Sequence, residues 1–142
     1  MKTHRNYICM IPIVCAIAEI VIALNCACPG LIEKAAGGTV PMKCHWTMRV
    51  CVLFGASQLL AALSHFLVKS VEGRLISHGA SAVLALGTVL VTTVVIGTCK
   101  SSKMICYTGK AWLCVAAGIC IVTELICLLN SKDKETGPKK MF

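Results

Sequence analysis

The sequence predicts an all-α integral membrane protein, a four-helix bundle in up-down-up-down order with short cysteine-rich extracytoplasmic loops. Of its 142 residues, 57% are hydrophobic and only 14% are charged, and the mean hydropathy is +0.82. A small soluble core cannot bury that much apolar surface. The apolar residues also form four blocks, each close to the ~20 residues that cross about 30 Å of hydrocarbon. We therefore expect one transmembrane domain over residues 1–142, with helices near 7–24, 50–68, 79–97 and 111–129.

Basic residues set the expected orientation of the first block and of the tail. Lys2 and Arg5 precede the first apolar block and imitate the start of a secretory signal. We expect a retained signal-anchor, because Asn25 precedes Cys26 where a processing site needs a small residue. The lysine-rich tail, 131–142, favours the cytoplasm by the positive-inside tendency. Both termini are thus predicted to be cytoplasmic.

The formal charge of +8 does not indicate nucleic-acid binding. The basic residues are spread over both ends and all loops, and they are not interleaved with aromatic residues that could stack on bases. A position at the membrane surface explains them better. We expect the lipid bilayer as a partner and no nucleic acid.

Glycine, proline and tryptophan residues shape the first extracytoplasmic loop. Pro29-Gly30 predicts a turn and Gly37-Gly38 a second bend. Between them, residues 31–36 are expected to form a single helical turn at the membrane interface. Trp46 and Trp112 are expected to anchor the second and fourth helices at headgroup depth.

A short motif occurs twice, once before the second apolar block and once before the fourth. Met42-Lys43-Cys44 and Met104-Ile105-Cys106 each follow further cysteines and precede a nearby threonine. The order of helix, cysteine-bearing loop, Met-x-Cys and helix is the same in both hairpins. A pseudo-twofold axis along the membrane normal would bring the two motifs face to face.

The eleven cysteines divide by location. Those inside apolar blocks behave as small hydrophobes that ease helix packing, and Cys51 lies at the boundary. The extracytoplasmic ones are in a compartment where disulfides persist, so we expect loop staples. The simplest pairings join Cys44 to Cys26 or Cys28 and join Cys99 to Cys106. The disulfide candidates are Cys26, Cys28, Cys44, Cys99 and Cys106.

Two other uses of these cysteines remain open. A thiol relay would let the Cys26-x-Cys28 pair pass a disulfide to Cys44. Thiols with thioethers also suit Cu(I), the one cofactor that we consider. We recognise no serine triad, phosphate loop or tetrahedral zinc set, and we assign no catalytic residue. The possible Cu(I) donors are Met42, Cys44, His45, Met48, Met104 and Cys106.

Four polar side chains fall within the predicted helices, namely Glu19, Gln58, His65 and Glu124. Carboxylates are costly in hydrocarbon, so each needs a partner or a function. We expect Glu19 at the level of Thr92 and Thr93, and Glu124 near His65. The two acids differ in depth by roughly 10 Å at 1.5 Å per helical residue, which argues against one carboxylate dyad.

The stretch Pro41-Met42-Lys43-Cys44-His45-Trp46-Thr47, with Ile96-Gly97-x-Cys99 and Met104-x-Cys106, resembles the signature of a known family. Its members are small bacterial and archaeal four-pass membrane proteins catalogued as a domain of unknown function. The resemblance covers nearly the whole chain and implies a prokaryotic inner-membrane location. Members of that family tend to carry a glutamate shortly after the first motif, where this chain has Cys51.

The same resemblance points to a partner, because family members are sometimes encoded beside ABC transporter genes of the macrolide-exporter or lipoprotein-release type. We therefore expect a non-enzymatic membrane accessory protein with a disulfide-stapled extracytoplasmic cap. Its expected partner is an ABC transporter permease or a second copy of the chain. A membrane thiol–disulfide oxidoreductase is the first alternative, and a Cu(I)-handling protein is the second.

Overall fold

Four helices and one small hairpin make up the fold in the computed structural model, which describes residues 2–68, 70–99 and 104–132. A π-helical turn extends the third helix, and a two-stranded antiparallel sheet lies between the first two helices. In chain order the elements are α1 Lys2–Asn25, β1 Leu31–Glu33, β2 Thr39–Pro41, α2 Lys43–Leu67, α3 Val71–Leu90, the π-turn Val91–Val95 and α4 Ile105–Lys132.

The helices form a closed four-helix bundle, as the sequence predicts. Helix α1 packs against α2 and α4, and α3 packs against the same two helices. Three segments are long and apolar enough to cross a membrane, namely Lys43–Leu67, Val71–Val95 and Ile105–Asn130. Within the described residues the apolar part of α1, Met10–Asn25, is shorter. The protein is therefore a helical membrane protein.

The distribution of side chains fits a bilayer. Large apolar residues face outward, with Leu53, Leu60 and Ile76 at least two-thirds exposed. The bundle interior instead holds small and polar residues, such as the fully buried Ala85 and Ser81. Lipid provides no hydrophobic reason to bury leucine, so close packing of small residues and interhelical hydrogen bonds hold such bundles together.

Three helices begin six to eight residues earlier than the apolar blocks predict. Helix α2 begins at Lys43, α3 at Val71 and α4 at Ile105, where 50, 79 and 111 were expected. Hydropathy marks the membrane-compatible part of a helix and misses polar first turns. At α3 the missed signal is a cap, because the Ser70 hydroxyl accepts a hydrogen bond from the Gly73 amide at 3.2 Å.

The helical turn expected at residues 31–36 is wrong, because this loop is a β-hairpin. Ile32 pairs with Val40 at its centre. Gly37 and Gly38 have φ angles of 83° and 91°, a region that glycine enters without a Cβ penalty. The Lys34 amide then donates to the Gly38 carbonyl at 2.9 Å. The glycine pair therefore makes a hairpin turn between two short strands.

The π-turn ends α3 and redirects the chain. The amides of Ile96 and Gly97 both donate to the Val91 carbonyl, at 3.3 and 3.0 Å, and Gly97 has a φ of 72°. The Thr47 hydroxyl of α2 donates to the Gly97 carbonyl at 2.6 Å. This bond fixes the segment that carries Cys99 against the start of α2.

Candidate functional site

Four cysteine thiols meet at the end of the bundle where α1 and α3 finish and α2 and α4 begin. The Sγ atoms of Cys28, Cys44 and Cys106 all lie within 4.8 Å of one another. The Cys99 Sγ is not part of this mutually close group, but it lies 3.5 Å from the Cys44 Sγ. We call these four residues the thiol centre and this end of the bundle the thiol end.

Burial differs among the four thiols. Cys44 and Cys106 are 0% exposed and Cys28 is 8% exposed, whereas Cys99 is partly exposed. Burial raises the pKa of the Cys28 thiol, and the adjacent Cys106 thiol raises it further.

The repeated Met-x-Cys motif forms the same local structure twice. Cys44 is the second residue of α2, and Cys106 is the second residue of α4. The Met42 carbonyl accepts the His45 amide at 2.9 Å, and the Met104 carbonyl accepts the Tyr107 amide at 3.0 Å. Each motif thus places a cysteine in a helical first turn, where free amides and the helix dipole favour negative charge.

The other two thiols come from the segments that follow α1 and the π-turn. Cys28 lies three residues beyond Asn25, and Cys99 lies four residues beyond Val95. The backbone amide of Cys106 hydrogen-bonds the Cys28 thiol, and that of Cys99 hydrogen-bonds the Cys106 thiol. Each hairpin therefore contributes one thiol after its first helix and one thiol at the start of its second.

The fifth predicted loop cysteine, Cys26, has a different environment. It packs against Gly109 of α4, where an added Cβ would lie only 2.5 Å from the Cys26 Cβ. Cys51 is fully buried in the apolar cluster beneath the thiol centre. Neither thiol belongs to the group of three whose sulfur atoms lie within 4.8 Å.

The donors predicted for Cu(I) separate in the structure. Cys44 and Cys106 lie in the thiol centre, and Met42 and Met48 pack in the surrounding apolar cluster. Met104 is 37% exposed. His45 lies edge-on to Trp46, with ring centroids 6.0 Å apart. Sequence reasoning paired Cys28 and Cys99 with the two Met-x-Cys thiols only as possible disulfide partners and did not count them as metal donors, although both follow a helix end by a similar number of residues.

The predicted disulfide pairings stay a prediction, since all five loop cysteines are free thiols in this structure. The predicted bridges lie within each hairpin. The 3.5 Å contact between Cys99 and Cys44 instead joins the two hairpins. The thiol centre could therefore link the halves of the bundle as well as close each loop.

A second polar group lies at the opposite end of the bundle, around Glu124. The carboxylate Oε2 is 2.5 Å from the His78 Nδ1 of α3, and both side chains are buried. The His65 ring packs on the His78 ring with centroids 4.4 Å apart. Sequence reasoning expected Glu124 near the level of His65, which lies beside this pair, but it did not select His78, the histidine that hydrogen-bonds Glu124.

Glu19 forms a third polar group near the middle of the bundle. It accepts a hydrogen bond from the Thr88 hydroxyl at 3.1 Å and lies 3.4 Å from the Gln58 amide nitrogen. The same nitrogen donates to the Cys120 thiol at 3.0 Å. Sequence reasoning expected Glu19 at the level of Thr92 and Thr93, and its hydroxyl partner is Thr88, one helical turn earlier. As expected, the two acids bond to different partners.

These features define the protein as a helical membrane protein with a buried thiol centre at one end and separate polar groups in its interior. The chain belongs to the family described as a domain of unknown function (DUF4418), whose model matches residues 8–130. Searches of curated proteins and of solved structures found no match.

Proposed function

We propose that the protein is a non-enzymatic accessory protein of a prokaryotic inner membrane, whose thiol centre clamps its two hairpins together on the extracytoplasmic side. The burial of the thiol centre carries this proposal. A catalytic cysteine must be reached by its substrate, whereas Cys44 and Cys106 are fully enclosed and Cys28 is nearly so. Three enclosed sulfur atoms from three chain segments suit a cross-link better than turnover.

The clamp would add a link at the thiol end to the packing of α1 on α4 and of α2 on α3, which already joins the two hairpins along the bundle. The hairpin of α1 and α2 and the hairpin of α3 and α4 are joined in sequence only at residues 68–70. At the other end, the described contacts between the hairpins include Thr47 to the Gly97 carbonyl and the thiol centre itself. A link among the thiols would fix the relative position of the two hairpins at the extracytoplasmic face.

The proposed partner is an ABC-type permease or a second copy of the chain, and this part rests on the family resemblance. Glu19 and Glu124 already bond to residues of their own chain. A partner therefore has no need to neutralise either acid, and we expect it to contact the lipid-facing surface or the β-hairpin.

One observation favours a thiol–disulfide oxidoreductase as a second candidate. Cys99 is partly exposed, and its sulfur lies 3.5 Å from that of the enclosed Cys44. A reachable thiol beside a resolving thiol is the arrangement that disulfide exchange requires. This candidate predicts turnover that depends on Cys99 and Cys44.

The functional test combines capture with an activity assay. Tagged protein taken from native membranes under mild detergent should retain an ABC-type permease or a second copy, and its addition should alter the ATPase rate of that transporter. The same preparation should neither reduce nor oxidise a model dithiol catalytically. Catalytic exchange that Cys99→Ser abolishes would replace the accessory proposal with the oxidoreductase.

The proposed orientation has its own test in intact cells. After mild reduction, a membrane-impermeant thiol reagent should label the partly exposed Cys26 and Cys99, while a carboxy-terminal tag stays protected from external protease. Cys120, buried in mid-bundle, serves as the internal control and should stay unlabelled. An exposed tag would overturn the orientation.

A further inference from the structure

We propose that Cys28, Cys44, Cys99 and Cys106 form a tetrathiolate site for one thiophilic divalent ion, with Zn²⁺ as the expected occupant. The inference rests on the proposed function, because it names the ligand that joins the two hairpins. It differs from the Cu(I) set of the sequence analysis in its donors, since it uses four thiols and no thioether or imidazole.

The separations among the sulfur atoms support one shared centre. Zinc binds thiolate sulfur at about 2.3 Å in tetrahedral geometry, which places the four sulfur atoms roughly 3.8 Å apart. The observed separations are 3.5 Å between Cys99 and Cys44 and no more than 4.8 Å among Cys28, Cys44 and Cys106. Two disulfides need only two separate pairs, each with sulfur atoms about 2.05 Å apart. Three thiols within 4.8 Å of one another, with Cys99 beside one of them, form a cluster that a single ion could draw together, which is more than two separate pairs require.

The origins of the donors also suit a tetrahedral site. Cys44 and Cys106 come from the first turns of α2 and α4, while Cys28 and Cys99 come from the segments that follow α1 and the π-turn. The two hairpins supply equivalent pairs, as the pseudo-twofold repeat predicts. Ligands from four chain segments can approach a central ion from different directions, as a tetrahedral site requires.

The surroundings can stabilise the charge of such a site. One Zn²⁺ with four thiolates carries a net charge of −2. The first turns of α2 and α4 direct free amides and positive helix dipoles towards it. The backbone amides of Cys99 and Cys106 already hydrogen-bond to thiols of the centre. Such N–H donors are the outer-shell partners that orient and stabilise metal-bound ligands.

The chemistry of binding involves no redox step. Four neutral thiols and one Zn²⁺ give one tetrathiolate complex and four protons, which pass to the solvent. Four protein ligands leave no open coordination position, so the site is structural and not catalytic. Soft thiolates also select zinc and related thiophilic ions over Mg²⁺ or Ca²⁺.

The first experiment uses the full-length wild-type protein in detergent, purified under argon with a thiol-free reductant. Elemental analysis should find one zinc per chain, and X-ray absorption at the zinc edge should give four sulfur neighbours at about 2.3 Å. After chelation, added Co²⁺ should produce the intense visible absorption of a tetrahedral tetrathiolate complex. A nitrogen- or oxygen-rich shell, or copper in place of zinc, would overturn the proposal.

Matched variants then assign the ligands. Cys28→Ser and Cys99→Ser should each abolish the tetrathiolate cobalt spectrum, whereas Cys26→Ser, two residues from a ligand, should keep it unchanged. Far-UV circular dichroism in detergent checks that each variant remains helical. A cobalt spectrum that survives Cys28→Ser or Cys99→Ser would contradict the assignment of that ligand.

The outcomes separate this inference from the proposed function on which it rests. If the reduced protein binds neither zinc nor cobalt, and the native protein instead contains two disulfides among these four cysteines, the metal site is wrong and the clamp stands. If the native protein contains neither metal nor bridge, both the metal site and the clamp fail.

Discussion

The two ends of the bundle contain different kinds of buried residues in different arrangements. At the thiol end, four side chains of one kind come from both hairpins and cluster, with three sulfur atoms within 4.8 Å of one another and the fourth beside Cys44. At the opposite end, Glu124 and His78 form a single pair between α3 and α4, with His65 of α2 packed on the histidine ring. The thiol end is built twice from one pattern, whereas the Glu124–His78 pair has no symmetric counterpart among the residues that the structure describes.

The thiol end can link the two hairpins, whereas the opposite end only gives a buried carboxyl group a hydrogen-bond partner. The thiols are weakly polar and could remain buried without partners at modest cost. Their convergence therefore indicates a ligand or a cross-link. A carboxylate in hydrocarbon cannot remain without a partner, so the Glu124–His78 pair is explained by its own burial. The thiol end is accordingly the better candidate for function.

Removal of one thiol is expected to produce the largest effect. Cys106→Ser should lower the free energy of unfolding by about 2–4 kcal/mol, the range for loss of a cross-link in a small domain. Cys26→Ser should change it by less than about 0.5 kcal/mol, because Cys26 lies outside the thiol centre. Unfolding in detergent, followed by tryptophan fluorescence, measures both values. Equal losses of unfolding free energy in the two variants would show that the thiol centre does not clamp the hairpins.

A pair of glycines on α4 tests how closely the thiol end is packed. At Gly109 an added Cβ would lie 2.5 Å from the Cys26 Cβ, whereas at Gly118 nothing lies within 4 Å. Gly109→Ala should therefore cost about 1–3 kcal/mol by overpacking, and Gly118→Ala should be neutral or slightly stabilising. Thermal melts of both variants measure the difference. Similar melting temperatures would show that the loop at Cys26 moves freely.

The opposite end should respond as an isolated pair. Glu124→Leu should cost about 1–2 kcal/mol, the range for polar contacts between membrane helices. The double variant Glu124→Leu/His78→Leu should lose little more than either single variant, because the pair is already broken. Leu125→Val, at a half-exposed neighbour, is the control. Strictly additive losses would mean that Glu124 and His78 do not interact. Because this pair lies at the opposite end from the thiol centre, the zinc content should stay unchanged in every variant.

The sequence predicted the parts of this comparison that depend on pattern. The four apolar blocks predicted the bundle, and the repeated Met-x-Cys motif predicted that Cys44 and Cys106 would face each other at the same end. Cys28 and Cys99 joined them because each helix end is followed by a turn of similar length. Hydropathy does not give the lengths of these two turns, so the positions of Cys28 and Cys99 could not be derived from it.

The partner of Glu124 could not be predicted in the same way. Residues on two facing helices can lie at one depth and still point to different sides, because helix rotation decides which side chains meet. The sequence placed His65 near the level of Glu124, but in the structure His78 forms the hydrogen bond with Glu124. The glycine pair Gly37-Gly38 did predict a bend, but its φ angles and the pairing of Ile32 with Val40 made it a strand hairpin.

Bridge formation in two-cysteine variants tests most directly whether the thiols of the two hairpins meet. In the first variant the other loop cysteines are replaced by serine, so that Cys44 and Cys99 are the loop cysteines that remain. The reduced, metal-free variant should form an intramolecular disulfide quickly under mild oxidant. Protein retaining Cys28 and Cys106 should do the same. A pair of Cys44 with Cys120, which lies in mid-bundle beside Gln58, should not bridge. Failure of both cross-hairpin pairs to bridge would contradict the account.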